Sequence, residues 1–317
     1  MLLDSLERHQ VAVYVGALAV GALVGLLVPA AGTGFGVAIN PLLGALLYVT
    51  FLQVPARELG RSLRAGRFLG ATLVVNFAVV PVVVAVVLPL LPADPAVRLG
   101  VLLVLLAPCV DYVVVFTGLA GGNAARLLAA TPLLLIAQVV LLPGFLLLFL
   151  GADLAGVVEP GPFVQAFLVL IAIPLTAAWV TQAWAARRPA GRRFAAMAST
   201  TMVPLMAATL AAVVASQVPE LGAGAAQVVR VVPFYVLFLV VMAFAGLAVA
   251  RLFRLDPPDG RAVVFTGATR NSLVVLPLAL ALPDTLAIAA VLVVTQTLVE
   301  VVGMLCYVRI VPRLLPA

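Results

Sequence analysis

Residues 99–121 read LGVLLVLLAPCVDYVVVFTGLAG, and residues 262–282 read AVVFTGATRNSLVVLPLALAL. Each stretch is long enough to cross a bilayer, and each is interrupted near its middle. In the first, Pro108 removes a backbone donor and crowds the turn before it, and Asp111 follows. In the second, Gly267, Thr269, Arg270 and Asn271 form a polar island between two apolar halves. Irregular backbone at that depth is tolerated only where protein or water covers its polar groups. The two stretches therefore predict helices that unwind and cross at mid-membrane. Their half-helix N-termini would present positive dipole ends to an anion or polar solute.

The rest of the chain fits this setting. Of its 317 residues, 65% are hydrophobic and only 9% are charged. A soluble domain carries roughly 25% charged residues, so lipid must cover most of the exterior. Ten apolar segments stand out, near 12–30, 36–54, 68–91, 99–121, 127–150, 163–185, 195–216, 231–252, 262–282 and 286–308. The expected fold is thus an all-α integral membrane protein, a single transmembrane domain over 1–317 with about ten spans. The polar start at Asp4, Glu7 and Arg8, followed by a long apolar run, reads as a true first span rather than a cleaved leader.

All 18 basic residues are arginines. One alternate set of connections holds Arg8, Arg57, Arg61, Arg64, Arg67, Arg126, Arg187, Arg188, Arg192, Arg193, Arg251, Arg254, Arg261, Arg309 and Arg313. The other set holds Arg98 and Arg230, and Arg270 lies inside a span. Cytoplasmic loops are enriched in Lys and Arg, which predicts an inner-membrane protein with both termini cytoplasmic. The net charge of +6 is therefore a topology signal and not a nucleic-acid-binding face.

Ten spans divide into two halves of five, about 11–151 and 162–309, and an odd repeat length inverts the second half. Interrupted helices at matching positions of inverted repeats point to a transporter's binding site. Asp111 and Arg270 lie 159 positions apart, and Gln138 and Gln296 lie 158 apart, which supports the repeat.

Asp111, Arg270 and Glu300 are the charges well inside spans, and each is a functional candidate because charge at bilayer depth is costly. Asp111 and Arg270 line a substrate path, or they form a buried pair that locks the crossing helices. Arg270 cannot readily deprotonate and would act as a fixed cation or anion ligand. Asp111 and Glu300 are candidates for proton coupling. Glu300 follows Gln296 by one turn, so the two share a helix face. Asn76 is mid-span, either glue between helices or a site residue. Cys109 follows the Pro of the first break, whereas Cys306 reads as packing. Thr117, Thr131 and Gln138 are weaker candidates. Neither a nucleophile–base pair nor a metal cluster supports an enzyme, no cofactor is implied, and the connections are too short for a signalling module.

Four motifs in order resemble one known group. They are Ala107-Pro108-Cys109 with the following VDYVVVFTGLAGGN; Asn76-Phe77 with Pro81; Phe265-Thr266-Gly267-Ala268-Thr269; and Leu298-Val299-Glu300-Val301. Together they resemble the arsenical-resistance (arsenite efflux) permeases of the bile acid:sodium symporter superfamily, from about span two to span ten. The resemblance implies a core and a panel domain, with the fourth and ninth helices crossing in the core. It implies that Cys109 contacts the metalloid, and a thiol suits soft As(III). Arg270-Asn271-Ser272-Leu273 departs from that branch, whose ninth-span carboxylate is missing here. Against the bile-acid branch, the positions of the sodium ligands hold Val113, Val114, Thr266 and Arg270, which disfavours sodium coupling. The expected activity is proton-linked or potential-driven efflux of arsenite or antimonite. Cys109, Asp111, Arg270, Asn271 and Asn76 would serve the substrate. The alternative is a small organic anion anchored by Arg270.

Overall fold

The computed structural model describes residues 10–28, 32–52, 66–110, 112–151, 169, 172–219 and 221–316. In chain order the helices are α1 (Gln10–Leu27), α2 (Gly32–Leu52), α3 (Gly66–Val74), α4 (Val80–Val87), α5 (Pro95–Leu105), α6 (Tyr112–Leu119) and α7 (Ala124–Leu150). They continue as α8 (Ile173–Arg187), α9 (Pro189–Ser199), α10 (Met202–Gln217), α11 (Leu221–Leu252), α12 (Pro257–Ala268), α13 (Ser272–Leu280) and α14 (Ile288–Leu314). A five-residue π turn, Val75–Val79, joins α3 to α4.

Among the described residues, five helical runs are long and apolar enough to cross a membrane. They are Gly34–Leu52, Gly66–Leu90, Leu133–Leu150, Ala225–Leu252 and Ile288–Leu314. A sixth is added if α9 and α10, bent by 41°, form one span. This is fewer than the ten apolar segments of the sequence, for physical reasons. The first expected span is a shorter apolar helix, Ala12–Leu27. The stretches 99–121 and 262–282 are each cut into half-helices, α5 with α6 and α12 with α13. Residues 163–168, 170 and 171 of the segment 163–185 lie outside the described residues.

The chain forms two compact units: Met1–Pro55 with Pro160–Ala225, and Ala56–Glu159 with Ala226–Ala317. In the first unit, α1 runs along α10 at close approach. A Cβ added to Gly21 would fall 2.6 Å from the Ala211 carbonyl oxygen, and one added to Gly25 would fall 2.9 Å from that of Ala215. Small residues let helix backbones approach in this way, and van der Waals contact replaces the hydrophobic drive that lipid cannot supply. The Tyr48 hydroxyl meets Thr181 Oγ1 at 2.9 Å, tying α2 to α8. Gln182 on α8 donates to the Phe51 and Leu52 carbonyls of α2.

The second unit holds α3–α7, most of α11, and α12–α14. Here α14 lies against both α5 and α13, and Tyr235 of α11 donates to the Leu292 carbonyl of α14 at 3.0 Å. Two helix starts in this unit are marked by their sequence. Asp94 caps α5 by accepting from the Ala96 amide at 2.8 Å, with Pro95 at the first helical position. Asn123 caps α7 through the Arg126 amide. Two buried charges secure the helix ends of this unit. Asp259 at the start of α12 accepts from Asn123 at 2.8 Å and forms an ion pair with Arg126. Arg261 is also largely buried, and its guanidinium donates to the carbonyls of Ala120, Gly121 and Leu315. Gly121 is left-handed there, at φ 65°, a conformation open to glycine without a Cβ penalty.

Candidate functional site

The two helix breaks of the second unit lie against each other. Pro108 and Arg270 face one another as an isolated antiparallel bridge. The Cys109 amide donates to the Thr269 carbonyl at 3.2 Å, and the Asn271 amide donates to the Ala107 carbonyl at 2.8 Å. Backbone groups freed by one break are thus met by the other, which is how irregular backbone survives away from water.

That exchange has a cost on the other side of each break. In an unbroken helix the Leu105 carbonyl would accept from Cys109, the Thr266 carbonyl from Arg270, and the Gly267 carbonyl from Asn271. All three of those amides are directed elsewhere, the Arg270 amide to Glu300 Oε2 at 2.8 Å. The orphaned carbonyls are met by the Arg270 side chain. Its Nη1 donates to Leu105 at 3.2 Å, and its Nη2 donates to Thr266 and Gly267, each at 2.7 Å. Nη2 also meets Asn76 Oδ1 at 2.9 Å, and the guanidinium lies 5.6 Å from the centre of the Phe238 ring. Arg270 is wholly buried, and its Nε has no partner among the described residues.

Asn76 reaches this cluster from the π turn of span three. Its Nδ2 donates to the Thr72 carbonyl at 3.0 Å and to Thr266 Oγ1 at 3.1 Å. Single π turns inside helices often occur at functional sites. The close passage of the π turn and α12 requires a glycine, because a Cβ on Gly267 would meet Val75 Cγ2 at 2.7 Å.

Glu300, fully buried on α14, collects three donors. They are the Arg270 amide, the Tyr112 hydroxyl at 2.7 Å, and the side chain of Gln296 one turn away. This donor set suits a carboxylate, which only accepts. Tyr112 opens α6 and also reaches the Arg270 carbonyl at 3.4 Å. Asn271 opens α13, and its Oδ1 caps the helix through the Val274 amide at 3.2 Å. Thr297 of α14 is linked to Ser272 at 2.7 Å, so α14 contacts the start of α13 as well.

The structure therefore brings together Asn76, Cys109, Arg270, Asn271, Gln296 and Glu300 around one crossing. The expected partnership of Asp111 with Arg270 is not placed, because Asp111 lies outside the described residues. The described carboxylate at the crossing is Glu300, and it binds the Arg270 main chain rather than its guanidinium. Cys109 is 1% exposed, within the first break, and is a thiol, as is the exposed Cys306. Asn271 Nδ2 and the Oε1 atoms of Gln138 and Gln296 are buried without partners among the described residues. Thr131 bonds back to Leu127 within α7, and Thr117 Oγ1 has no partner among the described residues. The sequence reading passed over Tyr112, Ser272 and Thr297. Their one signal is position, since two open half-helices and the third lies one residue after Gln296.

Several long apolar helices, two of the chain's other stretches broken face to face, and a buried charged network at the crossing define a multi-pass membrane protein built for transport. The SBF-like CPA transporter family matches residues 13–308, and the chain belongs to this family. The likeness to the bile acid:sodium symporter group is thereby shown at the level of the superfamily. Among curated proteins none matches the chain.

Proposed function

We propose that the protein is a secondary active transporter that exports arsenite or antimonite across the cell membrane, driven by protons or the membrane potential. The crossing of α5/α6 with α12/α13 carries this reading. Cys109, a thiol, lies in the first break, whose main chain pairs with the second, and Asn271 Nδ2 and Gln296 Oε1 of the same crossing are buried without partners among the described residues. Trivalent arsenite near neutral pH is a small, uncharged trihydroxide with a soft centre. Its hydroxyls can both donate to Gln296 and accept from Asn271. Its arsenic can exchange one hydroxyl for the Cys109 sulfur, releasing water. A single thiolate bond is readily reversed, which a carrier needs and a storage cage of three thiolates does not allow. Glu300, with Asp111, would handle the coupling proton.

The architecture supports a ten-span inverted repeat with both termini cytoplasmic. Each compact unit draws one segment from each half of the chain, as two intertwined five-helix repeats would. The arginine-rich alternate connections set the orientation.

Everted membrane vesicles test the cargo. Arsenite accumulation by the wild type that collapses in Cys109→Ser, and that requires an imposed pH gradient, supports proton-linked efflux. Absence of arsenite accumulation by the wild type moves the assignment to a small organic anion, for which Arg270 Nε is the unpartnered guanidinium nitrogen.

A further inference from the structure

The two half-helices that end at this crossing, α5 and α12, both point their carbonyl ends at one place. A helix C-terminus carries the equivalent of roughly half a negative charge. Two such ends amount to about one negative charge, and the group between them is the single positive charge of Arg270. Its four oxygen partners are Leu105, Thr266 and Gly267 carbonyls and Asn76 Oδ1, at 2.7–3.2 Å. An oxygen cage made of orphaned carbonyls and one side-chain amide is a cation site. In transporters with discontinuous helices, unwound carbonyls and half-helix C-terminal ends coordinate the coupling cation.

We propose that the Arg270 guanidinium is a tethered cation: it permanently fills the oxygen cage where a mobile alkali cation would otherwise bind. It balances the converging helix dipoles in every step of the cycle, so the protein transports without sodium or potassium. The same geometry argues that the guanidinium is a positioning group and not the cargo anchor, because both Nη atoms are committed to protein oxygens. The inference rests on the crossing being the transport site, but its test does not require the cargo.

The decisive variant is Arg270→Ala, purified and followed by thermal melting. Truncation vacates the cage and leaves the three carbonyls buried without donors. The melting midpoint should fall, and millimolar guanidinium, well below denaturing concentrations, should raise it saturably towards the wild-type value. Guanidinium should leave the wild type unchanged. In the Asn76→Leu/Arg270→Ala double variant, which lacks the amide oxygen, the rescue should weaken. An Arg270→Ala midpoint that falls and does not respond to guanidinium would overturn the proposal, as would one that does not fall. Should Arg270→Ala fail to fold, the wild type still decides. A melting midpoint or a cargo flux that rises in sodium or potassium relative to choline would show that a mobile cation is bound after all. Equal values in the three salts are the result expected. Failure of arsenite transport alone would sink the cargo assignment and leave the tethered cation standing.

Discussion

The first unit holds its helices together with small residues and a few edge polar contacts, whereas the second holds a buried charged network. Gly21 and Gly25 let α1 lie against α10. The buried charged residues among those described, Asp259, Arg261, Arg270 and Glu300, all belong to the second unit. Close packing of small residues holds these helices together by van der Waals contact. Buried charge is costly unless its groups find partners, and in the second unit these are helix-end carbonyls, neighbouring side chains and the carbonyls freed by the two breaks. The two units thus differ in buried charge, which the second unit holds at helix ends and at the crossing of its broken helices.

The first prediction removes charge from the second unit with minimal change of shape. Glu300→Gln keeps one carbonyl oxygen for the Tyr112 hydroxyl or the Arg270 amide but loses the negative charge. Gradient-driven accumulation should be abolished, while a folded protein is still recovered by size-exclusion chromatography. Persistence of wild-type accumulation would remove Glu300 from coupling. Next in size, Cys109→Ser replaces the soft sulfur with a hard oxygen of similar volume. Arsenite flux in vesicles should be lost, with little change in melting midpoint.

Overpacking the first unit sharpens the comparison from the other side. Gly21→Leu must displace the α10 backbone at Ala211, and strain of this kind costs about 1–3 kcal/mol. The melting midpoint should fall while the KM for cargo stays near the wild-type value. A changed KM with unchanged melting would contradict the division of roles. The smallest effect is expected from Thr297→Val, which removes the hydroxyl bond to Ser272. Polar contacts between membrane helices average about 0.6 kcal/mol, so the loss should be small and confined to stability.

Much of the second unit was legible in the sequence, and for a local reason. Pro108 and the polar island at 267–271 break helices by their own backbone chemistry, and the breaks fall where those residues stand. Asn76 and Glu300 were legible because polar groups are conspicuous in a chain with 9% charge. What stayed hidden was who answers whom. Nothing in the run Thr266-Gly267 says that its carbonyls will be met by Arg270, because that depends on the Arg270 and Asn271 amides leaving for other helices. The pairing of Arg126 with Asp259, residues 133 positions apart, was equally invisible. Both arginines of the α7 and α12 connections, Arg126 and Arg261, read simply as topology signals, yet in the folded chain they secure helix ends. Sequence pattern reports the chemistry of a segment. Orphaned groups are assigned by tertiary neighbours.

The π turn at Val75–Val79 carries one more consequence. A wide turn is an α-helix with a surplus residue, so it acts as a register adjuster between the two ends of its span. Deleting a single residue there would restore a regular helix and leave both flanking helices in register, with the change confined to the widened turn that carries Asn76. Asn76 would then turn away from Arg270 while the apolar stripe facing lipid at the far end stayed in place. Span three is thus free to answer two surfaces at once, and its length in residues is fixed more tightly than its composition.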